Sequence, residues 1–366
     1  MSARVGIVGA SGYGGAELAR LVTDHPELEL SVLAAHSHAG RPVVELYPNL
    51  ARDDRFAPVE PGELQGLDLV FVATPHGPAA DLAPDLAGAG TPVVDVSPAF
   101  RLPPELWERA YGEAHPRPDL LPAAYGLSEW NRSAVREADL VANPGCYPTA
   151  ALLALLPLAP LVEPGSVVVD AKSGTSGAGR APGEALHHPH VDGNTAAYGL
   201  PRHRHTDEIE HHLSALGASG APTSGGGSSD GPASIGVSAE TPGCAGFRAL
   251  FTPHLVPMSR GLLATCYATL RDGVTPEAAG AALEEAYREE PFVRLLPHGL
   301  LPRTKAVSGS NACHLAVIPE AGGRRVTVLS AIDNLGKGAA GQALQNANLR
   351  LGLPEGLGLS TMGVDP

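Results

Sequence analysis

The sequence predicts an α/β protein of two domains, a parallel sheet covered by helices on both faces followed by an α+β domain. Three observations carry this. Through the first third of the chain, short β-branched runs without polar alternation are separated by helical segments, the pattern of strands buried on both faces. A glycine-rich turn joins the first such run to the first helical segment. Beyond Asn143-Pro144-Gly145, a turn signal, strand candidates crowd together with few helices between them, as in an antiparallel or mixed sheet.

In order, Arg4–Val8 reads as a strand, Gly15–Thr23 as a helix, Glu29–Ala35 as a strand and Asp68–Ala73 as a buried strand. A helix near Pro78–Ala89 and strands at Pro92–Val96 and Asp139–Ala142 complete the first region. The second offers strands at Val167–Ala171, Ala249–Val256, Leu262–Leu270, His314–Ile318 and Val326–Ala331, with helices near His205–Leu216 and Thr275–Tyr287. The tract 217–234 holds only Gly, Ala, Ser, Pro, Thr and one Asp, so it has nothing to bury and reads as a flexible loop. The last helix is expected at Ala339–Leu351.

The 366 residues are 43 % hydrophobic and 17 % charged, enough apolar content for sizeable cores. A net charge of −14 and the lack of any basic stripe argue against a nucleic-acid binder. The longest apolar run, Ala150–Val162, is too short to span a bilayer and contains Pro157 and Pro160, so no membrane partner is expected. Four scattered cysteines without a CxxC pair fit free thiols in a reducing compartment. The N-terminus runs straight into a strand with no signal-peptide pattern, and a cytoplasmic protein is expected.

The turn after the first strand is Gly9-Ala-Ser11-Gly12-Tyr13-Gly14-Gly15. Small residues there let the backbone approach a diphosphate, and the N–H groups and dipole of the following helix bind its charge. A dinucleotide site for NAD places Asp or Glu about 20 residues past the glycines, on the ribose 2′-hydroxyl. This chain has no acid from Ser31 through Val44 and offers Ser37, His38 and Arg41 instead, a set suited to a 2′-phosphate, so NADP is favoured.

Cys146 stands where the turn Asn143-Pro144-Gly145 feeds an apolar helix, whose dipole and N–H groups favour thiolate over thiol. Cys244, Cys266 and Cys313 read as apolar filler. In Pro201-Arg-His203-Arg-His205-Thr-Asp-Glu208, both histidines are expected before a helix capped by Thr206 or Asp207, and either can serve a nearby thiolate as acid or base. The histidine-rich region around them lacks a recognised ligand spacing, so no metal is expected. Anion donors are Arg101, in Ser97-Pro-Ala-Phe-Arg101 at the end of a sheet strand, and the glycine- and hydroxyl-rich stretch Lys172–Arg180.

These residues sit in motifs that resemble the N-acetyl-gamma-glutamyl-phosphate reductases of arginine biosynthesis. The motifs are GASGYGGAELARL from Gly9, TPHG from Thr74, DVSPAFRL from Asp95, NPGCYPT from Asn143, AKSGTSGAGR from Ala171, HRHTDEIE from His203 and IDNLGKGAAGQALQNANLRLGLPEG from Ile332. They follow the family order and cover nearly the whole chain.

The resemblance implies a Rossmann-type NADP domain, 1–145 plus 335–366, and a substrate-binding and dimerisation domain of the semialdehyde dehydrogenase type at 146–334. It implies reduction of an acyl phosphate, N-acetyl-glutamyl 5-phosphate, by a homodimer or homotetramer. Cys146 would be the nucleophile, and His203 or His205 the acid/base group. Cofactor contacts are expected from Gly9, Ser11, Gly12, Tyr13, Gly14, Ser37, Arg41, Thr74, Pro75 and Asn334. Substrate contacts are expected from Arg101, Ser173, Gly174 and Tyr198. Two segments depart from the family pattern: the Gly/Ser tract at 217–234 and His36-Ser37-His38.

Overall fold

The computed structural model describes residues 2–218 and 246–365. They form two compact units: the described parts of Met1–Gly145, Ala178–Ala181 and Ala339–Ser360, and those of Cys146–Gly177, Pro182–Gly338 and Thr361–Pro366. Of the tract 217–234, the first two residues end the helix Arg204–Ala218. The rest of it, like Cys244, lies outside the described residues.

The first unit is built on strands β1 (Ala3–Val8), β2 (Leu28–Ala34), β3 (Leu69–Val72), β4 (Val93–Asp95), β5 (Ala124–Tyr125) and β6 (Leu140–Ala142). Their order is β2-β1-β3-β4-β6-β5 and every pairing is parallel. Strand β3 shows why its sequence does not alternate. Leu69 and Phe71 enter one hydrophobic core and Val70 and Val72 the other, so both faces of the strand are dry. The helix Gly341–Arg350 closes the first of these cores through Ala343, Leu344 and Ala347, returning Ala339–Ser360 to this unit. Its polar side is also buried: the Asn346 amide donates to Gly126 O at 2.8 Å, and Ser128 Oγ donates to Asn346 Oδ1 at 2.8 Å.

The second unit holds β7 (Val167–Gly174), β8 (Ala196–Ala197), β9 (Ala249–Val256), β10 (Leu262–Thr269), β11 (Val293–Leu295), β12 (Cys313–Pro319) and β13 (Arg325–Ile332). The sheet is mixed, in the order β11-β12-β13-β10-β7-β9-β8, with β7–β9 and β11–β12 parallel and the other pairings antiparallel. Alternation is clear here: Val167, Val169 and Ala171 of β7 and Leu262, Ala264 and Cys266 of β10 are buried. Their neighbours Val168, Asp170, Lys172, Leu263 and Thr265 are half-buried, and Tyr267 is exposed. The helix Cys146–Leu155 packs on β10 and β13 and against the helix Arg204–Ala218.

Strands β5, β8 and β11, of two or three residues each, escape the sequence reading. The last helix is shorter than expected, because a π-turn at Gly336–Ala340 precedes Gly341. Among the described residues no helix is long and apolar enough to cross a membrane.

Candidate active site

In the first unit the glycine loop joins β1 to the helix Tyr13–Thr23. Gly9 has φ +85°, and a Cβ there would stand 2.3 Å from Ala73 O; at Gly15 it would meet Gly9 O at 2.3 Å. These two glycines are therefore structural, letting the loop lie against the end of β3. Gly14 has nothing within 4 Å of its Cβ position, and Gly12 caps the helix with no side-chain hydrogen bond. The helix start at Gly14 thus faces open space with first-turn N–H groups to offer, a fit for a diphosphate. Tyr47 holds the loop by donating its hydroxyl to Ser11 O at 2.8 Å.

Thr74 and Pro75 follow β3, and Ser37 and His38 follow β2, so with the glycine loop they share the carboxyl edge of the parallel strands. Ser37 Oγ lies 2.9 Å from His38 Nδ1. Arg41 is turned to Glu45, at 3.5 Å. Arg180 lies in this unit, its Nη1 3.3 Å from His38 Nε2. Asn334 belongs to the second unit, with both ends of its amide engaged. Its Oδ1 accepts Gly261 N–H at 2.7 Å, and its Nδ2 donates to Ser176 Oγ at 2.9 Å.

After β4, fully buried Asp95 accepts the Ser97 N–H at 3.0 Å and the Ser97 hydroxyl at 2.8 Å. Burial pushes its carboxyl up to about 7, against the opposing pull of Ser97 and Arg101. Arg101 is buried and donates through Nη2 to Val96 O at 2.8 Å. This carboxylate, absent from the sequence-derived candidates, orders the loop that carries Arg101.

In the second unit Cys146 begins the helix Cys146–Leu155. Residues 147–155 are all buried, and Cys146 alone in the helix is half-exposed. Apolar packing on every side therefore fixes the helix and leaves its N-terminal thiol reachable, in the field of the helix dipole. Cys266 is the contrast: burial pushes its thiol up to about 12.

Tyr147, the next residue, gathers the site. Its ring lies 6.2 Å from that of His203, 5.9 Å from His205 and 5.3 Å from Phe251, while the two histidine rings are 4.8 Å apart. Tyr198 donates its hydroxyl to that of Tyr147 at 3.2 Å, and Tyr147 donates to His254 O at 3.1 Å. Burial raises both phenols above their usual range, Tyr198 to about 12; the charge of Cys146 raises both further, and a bond to Ser173 opposes it at Tyr147. Cys146, Ser173, Tyr198, His203 and His205 thus come together in one unit. The sequence reading passed over Tyr147, whose signal was its place beside Cys146.

The histidines are not equivalent. The helix starts at Arg204, so Thr206 and Asp207 lie inside it rather than capping it, and His205 is in its first turn. The cap is His203, whose Nδ1 accepts the His205 N–H at 3.1 Å. Burial, with Arg204 adding to it, pushes His203 down to about 4, so near neutrality its ring is uncharged with the proton on Nε2. Arg202 anchors the same turn through Asp207 at 2.8 Å and Glu210 at 2.9 Å.

A second support comes from the segment after β13. Buried Asp333 pairs with Arg260 at 2.9 Å and accepts the N–H groups of Gly309 at 2.6 Å, Leu335 at 2.9 Å and Gly336 at 3.1 Å. Its carbonyl accepts the Gly338 N–H at 2.9 Å. This fastens Gly338 against the thiol residue: a Cβ at 338 would stand 2.8 Å from Cys146 Cβ.

Comparison with known proteins agrees with this layout. The family model described as semialdehyde dehydrogenase, NAD binding domain, matches residues 4–138, and the one described as semialdehyde dehydrogenase, dimerisation domain, matches 146–224 and 239–334. An N-acetyl-gamma-glutamyl-phosphate reductase of Desulforudis audaxviator is 45 % identical over 372 residues, covering 99 % of each chain. One of Acidothermus cellulolyticus is 46 % identical over 374 residues, covering 100 % of each. Among solved structures, aspartate semialdehyde dehydrogenase II of Vibrio cholerae complexed with ASA matches with a TM-score of 0.67 at 17 % identity, covering 95 % of this chain and 98 % of that one. The Candida albicans aspartate semialdehyde dehydrogenase with NADP matches at 0.66 and 16 %, covering 95 % of this chain and 98 % of that one. At such identities the solved structures speak for the fold alone. With family models spanning both regions and full-length relatives above 40 % identity, the chain belongs to the semialdehyde dehydrogenase family, among its N-acetyl-gamma-glutamyl-phosphate reductases.

Proposed function

We propose that the protein reduces N-acetyl-glutamyl 5-phosphate to N-acetyl-glutamate 5-semialdehyde and phosphate, with NADPH, through a thioester on Cys146, as a cytoplasmic step of arginine biosynthesis. The observation that carries this is the half-exposed Cys146 at the start of an otherwise buried helix, with Tyr147 packed against His203 and His205. The names of the full-length relatives supply the substrate.

The Cys146 thiolate attacks the acyl carbon, the C–O bond to phosphate breaks, and a thioester remains. A dinucleotide held through its diphosphate at the glycine loop would supply the two electrons of the reduction as a hydride. Collapse of the resulting thiohemiacetal returns the thiolate and releases the aldehyde, with a histidine moving the proton. His205 suits that role better than His203. The Nδ1 of His203 is taken by the helix start, whereas His205 Nε2 has the Glu208 carboxylate 4.0 Å away. Arg101, Ser173, Gly174 and Tyr198 are assigned to the substrate. Gly9, Ser11, Gly12, Tyr13, Gly14, Thr74, Pro75 and Ser37 are assigned to NADP, and Asn334 to ordering the Ser176 loop of its own unit.

A homodimer or homotetramer is supported by the half-buried face of the second sheet, where Val168, Leu263 and Tyr267 carry apolar surface. The test runs the reaction backwards: aldehyde, NADP and phosphate together raise the NADPH absorbance, and omitting any one abolishes the rise. A rise with aspartate semialdehyde but not with the N-acetylated aldehyde overturns the substrate and keeps the mechanism.

A further inference from the structure

We propose that Arg180 is the residue that selects NADP over NAD, closing with Ser37 and His38 on the ribose 2′-phosphate. The inference rests on the NADPH dependence proposed above.

Residues Ala178–Ala181 pack with the first unit although the chain on either side of them belongs to the second. Such a detour places Arg180 at the loop after β2, where a doubly wound fold presents its residues to the adenosine ribose. Arg180 Nη1 lies 3.3 Å from His38 Nε2, and His38 Nδ1 lies 2.9 Å from Ser37 Oγ. Because a guanidinium only donates, Nε2 is the acceptor and Nδ1 carries the ring proton toward Ser37 Oγ. The Ser37 hydroxyl hydrogen is then left to turn outward. The remaining N–H groups of the guanidinium and the Ser37 hydroxyl are left to donate, with the imidazole setting their spacing, the chemistry that holds a phosphate dianion.

Tyr47 ties this row to the rest of the cradle, since its hydroxyl holds Ser11 of the glycine loop at 2.8 Å and it lies within the field of Arg180. The neighbouring arginines are otherwise engaged. Arg41 pairs with Glu45 at 3.5 Å, and Arg55 donates to Gly40 O at 2.7 Å. Among the described residues no carboxylate pairs with exposed Arg180, and the segment Ser31–Val44 contains no acid to repel a phosphate. In the sequence Arg180 only ends a glycine- and hydroxyl-rich stretch suited to an anion; its position beside His38 is what points to the ribose 2′-phosphate.

The test is calorimetric and needs no turnover. Wild type, Arg180→Ala, Arg180→Lys and Arg41→Ala are titrated with NADP and NAD, and with the fragments adenosine 2′,5′-bisphosphate and AMP. Arg180→Ala is expected to weaken NADP and the bisphosphate by about 10- to 100-fold, the scale of a lost charge-assisted contact, and to leave NAD and AMP within about twofold. Arg180→Lys recovers part of the loss. An unchanged NADP-to-NAD ratio in Arg180→Ala, equal losses on both dinucleotides, or a ratio that falls only with Arg41→Ala overturns the inference. If wild type itself binds NAD as tightly as NADP, the proposed cofactor fails first and the inference falls with it.

Discussion

Gly338→Ala tests whether the Asp333 hub positions the nucleophile. The added Cβ would lie 2.8 Å from Cys146 Cβ, 3.3 Å from Cys146 Cα and 3.2 Å from Asp333 O. Carbon atoms settle at about 3.5–4.0 Å, so roughly 1 Å of relief is required. Gly338 cannot supply it, because its N–H is bonded to Asp333 O, and the Asp333 side chain is held by Arg260 and the N–H groups of Gly309, Leu335 and Gly336. The helix behind Cys146 cannot retreat either, since residues 147–155 are buried. The displacement therefore falls on the first residue of the helix and its thiol. A misplacement of about 1 Å costs on the order of 100-fold in rate, and overpacking costs about 1–3 kcal/mol of stability.

The assay pairs steady-state kcat with the rate of Cys146 alkylation by iodoacetamide, and uses urea titration to confirm that the variant remains folded. The expected result is a folded protein with kcat down about 100-fold, slowed alkylation and unchanged NADP binding. A folded variant with kcat within about threefold of wild type would refute the reasoning. Gly280→Ala is the control: its Cβ meets only Val317 Cγ1, at 3.7 Å, in the middle of the helix Pro276–Tyr287. It should leave kcat unchanged and raise stability by up to about 1 kcal/mol.

Cys146→Ser should abolish turnover while leaving NADP binding within about twofold, as read by calorimetry, and wild-type rates in that variant would remove the thioester. Asp95, raised to about 7 in the folded protein from 3.8, binds more protons folded than unfolded between those values. Its contribution is therefore present below about pH 4 and lost as pH rises through about 7. Asp95→Asn should flatten that decline in urea midpoints measured across the window. His203, lowered from 6.5 to about 4, works in the opposite sense: stability is present above about pH 6.5 and lost as pH falls toward 4. His203→Asn should remove that acid limb of the stability profile but keep the catalytic ionisation in the pH–rate profile, whereas His205→Asn should remove the ionisation; the reverse pattern would exchange their roles.

Local signals carried far in this chain. The apolar run at 69–72 announces a strand buried on both faces, because nothing polar interrupts it. The glycine loop is equally legible, since Gly9 at positive φ and Gly15 against Gly9 O leave no room for any other residue. The thiol at a helix start is legible from the turn before it and the apolar run after it. Strands β5, β8 and β11 were not, because two or three residues hold no periodicity and are strands only through the partner they pair with. The cap at His203 was missed for a related reason: Thr206 and Asp207 are the better capping residues by type, but the surrounding packing set the start of the helix at Arg204.

By itself, then, the sequence determined the fold class, the glycine turn between the first strand and its helix and the place of Cys146 at a helix start, all of which are written in backbone preference, periodicity and residue type over a few consecutive positions. Tertiary structure alone decided that Arg180 stands against His38, that Asp95 braces the loop of Arg101, and that Gly338 presses on Cys146. Those approaches join residues far apart in the chain, and where such residues meet depends on how whole elements pack, which no short window of sequence encodes.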